Sequence, residues 1–284
     1  MRRILPIACF LFAGAALSPL LAAAQSTGPL SASQAHALVD HALANELRAA
    51  QDVDHPMRYL LRKSTPRLSS TRQIYETAQG DVARLLSIND SPIGPIAEQK
   101  EEARLQELAR DPARQRHRKQ AEDADTARAL KVLRLLPSAF IYEYIGPGQG
   151  AHGPVERFSF HPNPDFSPPD LETEVLSAMA GELWIDPAQQ RITHLEGRVQ
   201  VDVQFGWGIL GRLNRGGWIR IDQSEVAPGL WRTVRLQLDM SGRVVFRARA
   251  FKVLQEQTQF APLPVALDYR TAIELMLATD QALR

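Results

Sequence analysis

Apolar and polar side chains alternate most clearly between Arg191 and Phe205. Val199, Val201, Val203 and Phe205 fall on one side, and Arg198, Gln200, Asp202 and Gln204 on the other. The same period of two returns where Val234, Leu236, Leu238 and Met240 alternate with Thr233, Arg235, Gln237 and Asp239. One apolar and one wetted face is how antiparallel sheets behave; parallel strands are apolar on both faces and separated by helices. Further strands are predicted at 57–62, 72–77, 82–88, 140–145, 155–160, 175–185, 218–226 and 243–253. Asp186-Pro187 reads as a turn, and Ser241-Gly242 as a tight hairpin.

Three stretches carry the helical period instead. Leu38, Leu43 and Leu47 predict a helix over 33–50, with Ser31 or Ser33 as its cap. The charge-rich stretch 95–136 reads as a helical hairpin, with Pro112 in the first turn of its second arm. Ala127, Leu130, Leu133 and Leu136 give that arm an apolar stripe. A last helix is predicted at 266–283, with Ile273, Leu275, Met276 and Leu277 as its apolar side.

About ten antiparallel strands with one apolar face must cover that face. Strong twist curls so long a sheet toward a barrel. The expected fold class is α+β: a curved, mostly antiparallel sheet forming an unclosed β-barrel lidded by helices on its concave side. Residues 25–284 read as one such domain.

The N-terminus is expected to be a signal peptide, residues 1–24. Arg2 and Arg3 precede an apolar run that ends in Ala22-Ala23-Ala24. Cleavage there removes Cys9, the one cysteine, and with it any thiolate chemistry or disulfide. It also turns the net charge of +1 slightly negative. No global basic field argues for nucleic acid. The run Arg114, Arg116, His117, Arg118 and Lys119 is answered by Glu122, Asp123 and Asp125. It reads as a solvated helix face, with at most peripheral contact to anionic lipid.

Catalytic signatures are absent. No H-x-x-x-H, G-x-S-x-G or S-x-x-K occurs, so no cofactor, metal or catalytic residue is expected. Gly206 to Gly211 fits G-x-G-x-x-G, but the helix that would cap a phosphate has no room before the next strand. The segment reads as a loop between adjacent strands, either rim packing or a ligand mouth. Phe205, Trp207, Leu210 and Trp218 are the candidates for that mouth. Phe140, Tyr142 and Phe160 sit at strand spacing and are candidates to line an interior cavity.

The order signal peptide, helix, strands, inserted helices, long antiparallel run resembles the periplasmic lipoprotein-carrier superfamily, the LolA/LolB-like half-barrel proteins. The segments Ala180-Gly-Glu-Leu-Trp-Ile-Asp186, Arg191-Ile192 and Leu195-Glu-Gly197 look like its recurring hairpin. The resemblance implies a periplasmic location, a hydrophobic cavity and a role in outer membrane biogenesis. Its ligand would be a lipid or lipoprotein. The expected function is therefore an exported non-enzymatic protein binding an acyl chain, lipid or lipoprotein segment. The alternative is an envelope sensor or interaction module with a filled core that binds a protein partner.

Overall fold

The structure is a computed structural model that describes residues 29–205, 211–244 and 247–281. The expected signal segment, Trp207 and Leu210 lie outside them. Among the described residues, no helix is long and apolar enough to cross a membrane.

Chain order is α1 (Ala32–Ala49), β1 (Met57–Ser64), β2 (Ser69–Tyr75), β3 (Val82–Ile88), β4 (Ser91–Pro92), α2 (Pro95–Arg110) and α3 (Pro112–Ala139). Then come β5 (Phe140–Gly150), β6 (Gly153–Pro162), a 3₁₀ turn (Glu174–Ala178), β7 (Met179–Asp186) and β8 (Arg191–Val199). β9 (Val203–Phe205), β10 (Gly211–Leu213), β11 (Trp218–Ala227), β12 (Leu230–Val244), β13 (Arg247–Pro262) and α4 (Tyr269–Gln281) complete it. All strands belong to one antiparallel sheet in the order β4-β3-β2-β1-β13-β12-β11-β8-β7-β6-β5, with β10 on β12 and β9 on β10. The sheet is not closed: β5 and the β3–β4 side are its two edges. The α+β class and the unclosed curved sheet read from the alternation are what the chain adopts.

Local chemistry sets the helix ends. Ser31 caps α1 in a reciprocal box with Gln34. Asp111 accepts the Arg114 N–H at 2.9 Å and Pro112 opens α3, where a missing N–H costs nothing. In the β7–β8 turn, Asp186 Oδ1 accepts the N–H groups of Ala188 and Gln189, an Asx turn.

Register assigns every strand residue to one of two faces. Leu183, Leu195, Ile221, Leu236, Gln255 and Lys63 lie opposite one another on successive strands and define the inner face. On it α1 and the last turns of α3 bury Leu38, Val39, Leu43, Leu136, Phe140, Phe158, Phe160, Leu183 and Val199 in one core. The second core lies on the outer face. Tyr75 and Val82 pair there beneath Leu105 and Leu108 of α2 and Ile273 and Met276 of α4.

This corrects the expectation that the helices all lid the concave side. α1 and α3 cover it over β5–β8, whereas α2 and α4 pack on the opposite face of β2–β3. Each pair follows the apolar face its own strands present, and that face changes sides across the sheet.

α3 joins the two edges. Its first turns hold the β2–β3 hairpin, with Gln115 Nε2 donating to the carbonyls of Gln79 and Gly80 at 3.0 and 2.9 Å. Its last residue leads directly into β5. At 28 residues it is about 42 Å long, and residues 123–129 are exposed. The helix is a strap across the gap of the open barrel.

The β3 edge is sealed by side chains. Leu85 N–H donates to Glu101 at 2.8 Å, and Arg104 donates to the Ala83 carbonyl at 2.6 Å and to both oxygens of Glu101. Asp81 N–H donates to Glu122 at 3.0 Å, and Arg118 donates to the Asp81 carbonyl at 3.1 Å. Helices α2 and α3 thus supply the bonds of a missing neighbour strand, a standard protection for an exposed edge.

Three boundaries differ from the alternation. Ser241-Gly242 is not a hairpin, because β12 runs through to Val244. The predicted strand 175–185 begins only at Met179, after the 3₁₀ turn. The run 191–205 breaks between Val199 and Val203, and Val201 there is 57% exposed.

Candidate functional site: a trough on the inner face

Between the two cores the inner face carries a stripe that belongs to neither. Ile221 of β11 opposes Leu236 of β12, Leu238 opposes Val253 of β13, and Leu61 of β1 opposes Gln257. Leu61, Ile221, Leu236, Leu238 and Val253 are all only partly buried and are absent from both packed clusters. Ile219 and Met240 join this stripe to the inner core. The result is an apolar patch flanked on one side by the core under α1 and on the other by Gln255, Gln257 and Lys63.

Glycine shapes the wall. A Cβ at Gly197 would stand 2.6 Å from Met179 Cε and 3.4 Å from Phe160 Cζ, with Ile219 at 3.6 Å. Its absence lets Phe160 lie down on β8 beside Ile219, so Phe160 marks where the filled core gives way to the trough.

The candidates read from the sequence separate into three groups. Phe140 and Phe160 are buried in the inner core, with ring centroids 4.8 Å apart and edge-to-face. Tyr142 is partly buried against them and donates to the Leu136 carbonyl at 3.1 Å; burial pushes its phenol well above the usual range, with Asp40 adding to the rise. Trp218 lies on the outer face beside Arg220, whose guanidinium is 5.9 Å from the indole centroid. The backbone of Phe205 in β9 pairs with Gly211 in β10. Trp207 and Leu210 lie outside the described residues. Leu61, Leu236 and Leu238 were missed as site residues. Their signal was present: half of an alternating pattern that no helix of the chain is needed to cover.

The outer face opposite the trough is built differently. Arg157, Trp184, His194, Asp222, Arg235, Glu256 and Arg62 are direct neighbours on successive strands. Arg157 sits 5.6 Å over Trp184, Trp184 is 4.7 Å from His194, and His194 Nδ1 is 2.6 Å from Asp222. Arg235 and Arg62 both donate to Glu256, at 3.0 and 3.3 Å. The bond from His194 holds the Asp222 carboxyl below its usual range, against a partial desolvation that raises it. A cavity of about 760 Å³ opens beside this ladder, lined by His161, Glu182, Trp184, Glu196, Arg198 and Arg220 among others. Its charged groups are paired, Glu182 with Arg157 and Glu196 with Arg220. Among the described residues no group of three His, Cys, Asp or Glu side chains is placed to hold a metal ion.

No protein-family model matches the chain, and no curated protein matches it. Among solved structures, it is similar to a domain from Vibrio parahaemolyticus described as an outer membrane lipoprotein-sorting protein. The identity is 10% and the TM-score 0.32, over 84% of this chain and 97% of that one. It is similar to a DUF1329 family protein from Desulfovibrio piger at 8% identity and a TM-score of 0.30, over 81% and 93% of the two chains. A third similarity, at 10% identity and a TM-score of 0.24, is to the MucA/MucB complex of Pseudomonas aeruginosa, over 80% and 98%.

Proposed function

We propose that the chain is an exported, non-enzymatic binding protein that holds an acyl chain, a lipid or a lipoprotein segment on the inner face of its sheet. One observation carries this reading. Ile221, Leu236, Leu238 and Val253 form an apolar patch on the inner face outside both packed cores, with Leu61 beyond Gln255 and Gln257. Helices α1 and α3 cover the inner face over β5–β8, and this patch lies beyond that core and is only partly buried.

A chain burying roughly 300 Å² of apolar surface gains about 7 kcal/mol at ~25 cal/mol per Å² before the costs of association, which set how much of that gain appears as affinity. The periplasm fits such a role, since an apolar ligand must cross water there. The assignment of Phe205, Trp207, Leu210 and Trp218 to the mouth rests on the sequence alone.

Native mass spectrometry of the chain purified without detergent from an envelope extract tests the proposal. A discrete added mass that solvent extraction releases as lipid is the expected result. A clean unliganded mass, unchanged after incubation with lipid vesicles, overturns it and favours the packed partner-binding module.

A further inference from the structure

The two edges of the sheet are finished differently. At β3, side chains of α2 and α3 occupy the free N–H and C=O groups of Asp81, Ala83 and Leu85. At β5, eleven residues long, only β6 pairs, and among the described residues nothing bonds to the other edge of the strand. Ile141 and Ile145 are 40% and 49% exposed there, with Glu143 exposed between them. A long edge bearing apolar side chains is a template for another strand unless it is blocked.

We propose that the β5 edge receives an extended segment of a partner polypeptide as an added strand. The segment carries a lysine or arginine opposite Glu143, with an aliphatic residue two positions to either side.

The bounds come from the strand itself. Register with β6 is regular from Phe140 to Tyr144 and shifts before Gly146. Beyond the shift, Pro147 lacks an N–H and Gly146, Gly148 and Gly150 lack side chains. Both features weaken pairing, so the receptive stretch is Phe140–Ile145.

Its chemistry follows from cross-strand pairing, in which directly opposed side chains interact and unlike charges are favoured. The two aliphatic residues meet Ile141 and Ile145. The basic one meets Glu143, which has the His161 ring at 3.7 Å on the β6 side. The other carboxylate on this hairpin, Glu156, already accepts a bond from the Tyr144 hydroxyl at 2.5 Å.

A second copy of the chain fits worse. Antiparallel pairing of β5 with itself about a two-fold axis sets Ile141 against Ile145 only when Glu143 faces its own copy. Like charges directly opposite destabilise a ladder. This inference is independent of what the inner face binds.

The test uses two fluorescein-labelled peptides, Thr-Val-Thr-Lys-Thr-Val-Thr and the same sequence with Glu for Lys. They are titrated against the purified chain by fluorescence anisotropy. The lysine peptide is expected to bind at least tenfold more tightly, and Glu143→Lys, at an exposed position, to reverse the preference. Hydrogen exchange is expected to slow in Phe140–Ile145 on addition of the lysine peptide. Equal binding, no binding at millimolar peptide, or a preference that Glu143→Lys leaves unchanged overturns the proposal. So do protection confined to other strands, a β5-paired dimer by sedimentation, and β5 amides already slow in the free chain.

Discussion

Glu46 at the end of α1 and Arg191 at the start of β8 form a buried ion pair that pins the helix to the sheet. Arg191 Nε and Nη2 donate to the two carboxylate oxygens at 2.9 and 3.1 Å. The Ile192 N–H and Gln223 Nε2 also donate to Glu46, at 3.1 and 2.8 Å. Arg191 lies 5.7 Å over the Trp231 ring. Both side chains are about one-tenth exposed or less, so neither can turn to water if its partner is lost. Arg191→Ala is therefore expected to lower stability by about 3–5 kcal/mol, and Glu46→Ala by a similar amount. The double replacement by methionine should cost less than the sum, because it leaves no unpaired charge. Urea unfolding of the four proteins decides it; single variants within 1 kcal/mol of the parent would show the pair is not a latch.

The strap should respond to pH through Asp81. Burial raises its carboxyl to about 7, and the charges of Glu122 on α3 and Glu76 beyond β2 add to the rise. The Thr77 backbone and Arg118 act the other way. A raised folded value means the folded state binds more protons than the unfolded state between about pH 4 and 7. Stability from this group is therefore highest in acid and falls as pH rises through that window. Asp81→Asn keeps an acceptor and removes the charge. It should match the parent at about pH 3.5, below the unfolded value, and melt several degrees higher at pH 8, by calorimetry at both values. An equal melting temperature at pH 8 counts against the assignment.

Glu101 and Arg104 are expected to guard against edge-to-edge association more than to stabilise the fold. Burial raises the Glu101 carboxyl, but the bonds from Arg104 and Leu85 more than offset this and hold it below the usual range. The pair remains charged at neutral pH. Replacing both with alanine frees one N–H and one carbonyl at the edge, a loss of about 1–2 kcal/mol. Light scattering on heating should show aggregation at lower temperature than in the parent, and the Leu85 amide should exchange faster. A variant that is less stable but no more prone to aggregate would refute the guarding role.

The alternation Val234 to Met240 was enough to read antiparallel sheet, and the sheet's open, curved form followed from its length. What alternation could not show is which strands continue past a turn signal. Ser241-Gly242 has the composition of a hairpin, yet Gly242 is a strand residue. A Cβ there would stand 2.3 Å from the Arg212 carbonyl oxygen, so the glycine permits β10 to cross close beside β12. Side-switching of the helices was illegible for a related reason. Tyr75 and Ile74 are both buried and adjacent in sequence, so β2 has no single apolar face from which to infer where its helices lie. The aromatic residues drew attention to Phe140, Tyr142 and Phe160, but large rings near α1 fill space. The inner-face patch is made of leucines, one isoleucine and one valine, whose only distinction is that they lie partly buried outside both cores.

That distinction yields the test of the trough. Leu236 and Leu238 point inward while Gln237, between them, points outward. Because both leucines are partly exposed, Leu236→Ser with Leu238→Ser removes less packing than the 2–5 kcal/mol of a fully buried truncation. The double variant should stay folded by circular dichroism. Serine hydroxyls on the floor would face an acyl chain without a hydrogen-bond partner, an unfavourable burial. Uptake of a fluorescent fatty acid should fall at least tenfold, while Gln237→Ser on the opposite face leaves it unchanged. If the double variant takes up the probe as well as the parent does, the inner face is not the binding surface. A parallel loss in Gln237→Ser would point to damage to β12 rather than to its inner side chains.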